Sequence, residues 1–122
     1  MPFVPLHNRT SPLATPLAVY YCSSFFCRLR GLMFKASIPP QRAWLLVESG
    51  EDRIGTAIHM LFMRFPIAAI WINANFEVVD VKLALPWRPL YIPAAPAQYI
   101  LEAHLDRLSD FHIGDKLELD YA

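Results

Sequence analysis

The sequence predicts a small α+β domain built on a strongly curved sheet, or partly closed barrel, with two short helices. Three observations carry this reading. At 122 residues the chain is one domain by length, large enough to close a single core without staples. Apolar residues make up 55% of it and charged residues 18%, against a usual apolar share of ~45–50%, so strands buried on both faces are expected. Short β-branched and apolar segments alternate with Pro, Gly and Asn turns, the spacing of a small barrel or curved sheet.

Residues 1–16 hold Pro2, Pro5, Pro12 and Pro16 and are expected as an extended, non-helical lead-in. Residues 17–122 form the single globular domain. "LAVYYC" (17–22) is a strand. Ser23 and Ser24 stand where an N-cap belongs, "FFCRLR" (25–30) is a short helix, and Gly31 ends it in a left-handed conformation. Leu32 and Met33 return to the core, and "SIPPQ" (37–41) turns the chain.

"AWLLVE" (43–48) is a buried strand and "SGEDRIG" (49–55) a solvated loop. "TAIHMLFM" (56–63) and "IAAIWIN" (67–73), apolar on both faces, read as central strands separated by Pro66. "NAN" (73–75) is a tight turn, Asn tolerating a positive φ. In "FEVVDVKLAL" the alternation places Val79, Val81, Leu83 and Leu85 on one, buried face and Asp80 and Lys82 on the other. "PWRPLYIPAAP" (86–96) carries four prolines and is irregular. "QYILEA" (98–103) is a strand, "HLDRLSDFH" (104–112) a short helix or helical turn, and "IGD" (113–115) a turn. "KLELDY" (116–121) is the last strand, with Leu117, Leu119 and Tyr121 inward.

Eleven basic and eleven acidic residues cancel, so a nucleic-acid partner, which needs several cations on phosphates, is not expected. No apolar stretch reaches the ~20 residues of a membrane helix. Pro12 and Pro16 break the apolar region after Arg9, so no secretory signal is visible. A soluble, cytoplasmic chain with no membrane partner is the expectation. Cys22 and Cys27 cannot close a zinc site unaided and read as reduced, buried, small apolar residues.

Four fragments, "RLRGLMFK", "IHMLFMRFPIAAIWIN", "VVDVKLALPWRP" and "YILEA…IGDKLEL", occur in an order and spacing that resembles the bacterial and archaeal domain of unknown function numbered 192. The resemblance runs from about Phe25 to Leu119. Arg28, Gly31, Leu32 and Met33 match its first motif, which closes on Lys35 where the family has Arg. His59, Met63, Arg64, Phe65, Pro66 and Ile67 match the second. There Met60 replaces a Thr and Ala68 an Asp. Leu101 and Glu102 match the Leu-Glu pair, and Gly114 and Asp115 the closing turn. The resemblance implies a compact α+β domain with a strongly curved, mostly antiparallel sheet, and brings no established activity with it.

The candidate ligand-binding residues are His59, Arg64, Trp87, Arg88 and Arg28. An imidazole and a guanidinium can together hold an anionic or polar group. The ordinary alternative is a core histidine satisfied by backbone. Trp87 and Arg88 lie in a proline-rich loop of the kind that lines binding sites, or else cap the barrel and face solvent. Arg28 suits a phosphate or carboxylate, or pairs with a local acid such as Glu48 or Glu102. Glu102 and Asp115 are conceivable as an acid/base pair, although Asp115 is well explained as a turn residue.

No phosphate loop, nucleophile elbow or cofactor fingerprint is present, so no cofactor, metal or catalytic residue is assigned. The leading reading is a non-catalytic binding or accessory module for a polar small molecule or a protein segment. The alternatives are an enzyme with His59 as general base, or a homodimeric interaction protein.

Overall fold

The computed structural model describes residues 3–120. Seven strands, β1 (Phe3–Asn8), β2 (Leu17–Cys22), β3 (Arg42–Asp52), β4 (Ile67–Ile72), β5 (Val78–Ala84), β6 (Ala97–His104) and β7 (Leu117–Leu119), share one sheet in the order β5-β4-β6-β3-β2-β1-β7. Helix α1 (Phe25–Arg30) follows β2, and a 3₁₀ helix (Leu105–Asp110) follows β6. The sheet curls into a half-barrel. Every neighbouring pair is antiparallel except β2 and β3. A parallel pair needs a crossover, and α1 with the loop 31–41 supplies it.

Both faces of the sheet are covered. One gathers Leu6, Val19, Leu45, Ile70, Leu101 and Leu117, with Phe111 beside the 3₁₀ helix packed among them. The other gathers Leu46, Ile67, Trp71 and Ile100, roofed by Leu32, Ile58, Met60 and Met63. This explains why β4 is buried at all six positions. The 3₁₀ helix is tied down by buried Arg107, which donates to Thr15 O at 2.8 Å. Its Nε lies 2.8 Å from the Asp110 carboxylate, an ion pair misaligned for a hydrogen bond.

The cap and the stop expected around α1 hold, though not the conformation of the stop. Ser24 Oγ accepts from Cys27 N at 3.2 Å, and the Gly31 amide donates to Cys27 O at 2.8 Å. Gly31 has φ 50° and ψ −121°, a combination closed to residues with a side chain rather than the ordinary left-handed helical one.

Other expectations need correction. Residues 56–63 are not a strand: their only pairing among the described residues is a bridge between Ile58 and Tyr91. The segment is apolar because it roofs the sheet, and an apolar run alone does not separate a central strand from a packed loop. Residues 49–52, expected as loop, continue β3 beyond a register shift between Val47 and Asp52. Residues 3–8, within the expected lead-in, form β1 and pair with both β2 and β7.

In β5 it is Asp80 that is buried and Leu83 that is exposed, as is Leu85 just beyond the strand. Asp80 accepts from Lys82 Nζ at 2.7 Å and from Ala94 N at 2.9 Å. The proline-rich loop thus covers the polar side of this edge strand. In the turn at 73–76 the positive φ falls on Phe76 (62°), while Asn73 Oδ1 accepts from the amides of Asn75 and Glu77, both at 3.0 Å. Leu117 is buried and Leu119 half-buried; Tyr121 lies outside the described residues.

Cys22 and Cys27 are not free thiols. They form a disulfide, with Cα atoms 5.5 Å apart, inside the bridging range. Folding α1 back on the end of β2 brings together two residues that a straight continuation of the chain would separate.

Candidate functional site

The candidate site is a pocket of about 310 Å³ between α1, β3, β6 and the loop 53–66. That volume is at the lower end for a small-molecule site. Its apolar wall includes Leu32, Leu46, Ile58, Met63 and Ile100, and its polar groups are Arg28, Arg30, Glu48, His59 and Glu102.

Arg28 reaches it from α1. Its Nε lies 3.0 Å from Glu48 Oε2, and its Nη1 donates to Ser23 O at 2.6 Å and to Val47 O at 3.3 Å. The guanidinium therefore ties the helix to β3, as one of the two acids named from sequence allows. His59 comes from the roofing loop and is half-buried. Its Nδ1 accepts from Leu61 N at 3.2 Å, which leaves the proton of the neutral ring on Nε2.

Glu102 stands apart. It lies in the middle of the sheet, paired across β6 with Trp44 of β3 and Ala69 of β4. Only 6% of its surface is exposed. Its carboxyl makes no hydrogen bond or ion pair among the described residues. A buried acid usually finds a partner. Lacking one, the charged form is disfavoured, and burial pushes the Glu102 pKa up from 4.5 to about 7. Near neutral pH the carboxyl both donates and accepts. Gly31 makes room for it: a Cβ at that position would stand 3.1 Å from Glu102 Oε1.

Of the residues singled out from sequence, the pocket unites Arg28 and His59 and excludes Arg64, Trp87 and Arg88. Arg64 and Arg88 are exposed and lie outside the pocket. Trp87 is also exposed and packs against Phe62, ring centroids 5.1 Å apart. Glu102 and Asp115 do not make a pair. Asp115 belongs to the turn before β7, where burial works to raise its pKa. Hydrogen bonds from Asn8 Nδ2 (2.8 Å), His112 N (2.9 Å) and Ser11 Oγ (3.2 Å) outweigh burial and lower it.

Ala68, where the family pattern carries Asp, packs in the cluster on the opposite face from the pocket, whereas Ala69 is on the pocket side. Its substitution leaves the pocket intact. Among the described residues no group of three or more His, Cys, Asp and Glu is placed to hold a metal ion. No helix among them is long and apolar enough to cross a membrane.

Comparison with known proteins places this arrangement. The UPF0127 protein of Pyrococcus furiosus is 39% identical over 114 residues, covering 91% of this chain and 94% of that one. The UPF0127 protein PH1112 of Pyrococcus horikoshii is 41% identical over 95 residues, 78% of this chain and 79% of that one. A crystal structure of a protein of unknown function from Novosphingobium aromaticivorans has the same fold, with a TM-score of 0.80 at 20% identity over 95% of this chain and 83% of that one. Residues 7–119 match the family described as "Uncharacterized ACR", the domain of unknown function 192. The chain belongs to that family.

Proposed function

We propose that the domain is a non-catalytic binding module that takes a small polar molecule into the pocket at Glu102. The observation that carries this reading is a buried carboxyl without a protein partner beside an open cavity. The carboxyl oxygens face the cavity without a protein partner, and a ligand carrying an N–H or O–H donor would supply one. The His59 Nε2 proton provides a donor on the opposite side of the chemistry, and the apolar wall suits a compact carbon frame. Arg28 and Glu48 neutralise one another, and Arg30 adds an exposed guanidinium to the lining, so an acceptor group on the molecule would also find a partner.

The test is a thermal-shift screen of small amines, amides, polyols and carboxylates on the wild-type chain and on Glu102→Leu. The expected result is a stabilising shift by donor-bearing compounds that disappears in the variant, while Arg64→Ala keeps it. A screen with no stabilising compound, or shifts that survive Glu102→Leu, would overturn the reading.

A further inference from the structure

Three loops bring their bulkiest residues together on the surface. Phe34, Phe62 and Trp87 are 58%, 45% and 59% exposed. Their rings nonetheless pack in series, Phe62 tilted against Phe34 at 5.3 Å and edge-on to Trp87 at 5.1 Å. Backbone bonds lock the loops to one another: Phe34 N donates to Phe62 O at 3.1 Å, and Trp87 N to Met60 O at 2.7 Å. All three aromatics have positive φ, 67°, 62° and 67°, a conformation that bulky residues rarely adopt and that recurs at functional sites. Exposed Leu61 and Leu90 extend the same loops.

The charge around this cluster has one sign. The side chains of Arg64 and Arg88 are exposed and make no hydrogen bond or ion pair among the described residues; the two residues flank Phe62 and Trp87 in the chain, while Lys35, after Phe34, stands over the Trp44 ring, 5.0 Å from its centroid. The stretches 28–47, 53–76 and 81–101 contain no Asp or Glu at all. The loops at this end of the molecule therefore bring basic but no acidic residues of their own, within a chain of zero net charge.

We propose that this end docks on an anionic lipid bilayer, with Phe34, Phe62, Trp87 and the loop leucines entering the interface and the arginines meeting the headgroups. Apolar and aromatic loop tips rimmed by Lys and Arg have the chemistry of an interfacial anchor. None of the three aromatics lines the Glu102 pocket or the clefts around Pro12, Trp44 and Tyr99. The three rings stand exposed on loops, whereas peptide segments are bound in grooves or along sheet edges. A second copy placed on the cluster would bring a second set of basic loops against the first.

The experiment is co-sedimentation of the full chain with vesicles of phosphatidylcholine, with and without phosphatidylglycerol, at low and high salt. The wild type is expected to sediment with the anionic vesicles and to be released by salt. The double variant Arg64→Glu/Arg88→Glu should weaken binding by at least about fivefold per arginine, and Trp87→Ala should weaken it at constant charge. The arginine variant lies wholly on the surface, so it remains informative even if the aromatic one misfolds. Failure to sediment, equal binding to neutral vesicles, unchanged binding by the arginine variant, or binding to an oligonucleotide instead would each overturn the proposal.

Discussion

Glu102 and Gly31 form a unit at the residue scale. The glycine leaves the space in which the carboxyl stands and ends α1 in the same stroke. The raised Glu102 pKa has a consequence for stability. An acid with a folded pKa above its unfolded one favours the folded state while protonated. That contribution is fully present below the ordinary value of 4.5 and is lost as pH rises through the folded value of about 7. The shift corresponds to roughly 3 kcal/mol. Thermal melts should therefore show wild-type stability falling across that window, and Glu102→Gln should flatten the fall. Parallel profiles for the two proteins would show that another group carries the dependence.

At the scale of elements, the legible parts were those set by local chemistry. A serine cap, six helical residues and a glycine stop specify α1 without reference to the rest of the molecule, and the turn at Gly114 and Asp115 does the same. Strand facing was not legible in this way. Alternation in β5 gives the period of the side chains but not which side is covered, and the loop carrying Ala94 covers the Asp80 side. Segment 56–63 has the composition of a central strand because it is packed like one.

The disulfide depended on how α1 turns back on β2, which spacing alone does not reveal. Such bonds persist in oxidising compartments and inside hyperthermophiles. Reduction should lower stability by about 2 kcal/mol, the chain-entropy value for so short a loop. Melts with and without reductant, checked against Cys22→Ser/Cys27→Ser, would measure it; identical melts would mean that the bond adds nothing.

On the scale of the whole molecule, the half-barrel places two different surfaces on the side roofed by α1 and the loops. The pocket draws on Arg28, Glu48, His59 and Glu102 from four separate segments. The aromatic cluster draws on three loops. The histidine, arginine and loop residues singled out from sequence fall into both, Arg28 and His59 in the first and Arg64, Trp87 and Arg88 around the second. Reading 56–63 as a strand put His59 and Arg64 on one element, whereas the segment is a roofing loop that sends His59 to the pocket and leaves Arg64 outside it. Glu102 was visible as an acid but not as an unpartnered one, since a missing partner is a property of the folded surroundings.

The central claim, that this acid is buried and unpaired, is tested most directly by following the ¹³C signal of the Glu102 carboxyl by NMR through a pH titration. The account predicts a midpoint near 7, in place of the ordinary 4.5, and its displacement by a compound that binds the pocket. A midpoint at the ordinary value, unmoved by any such compound, would contradict it.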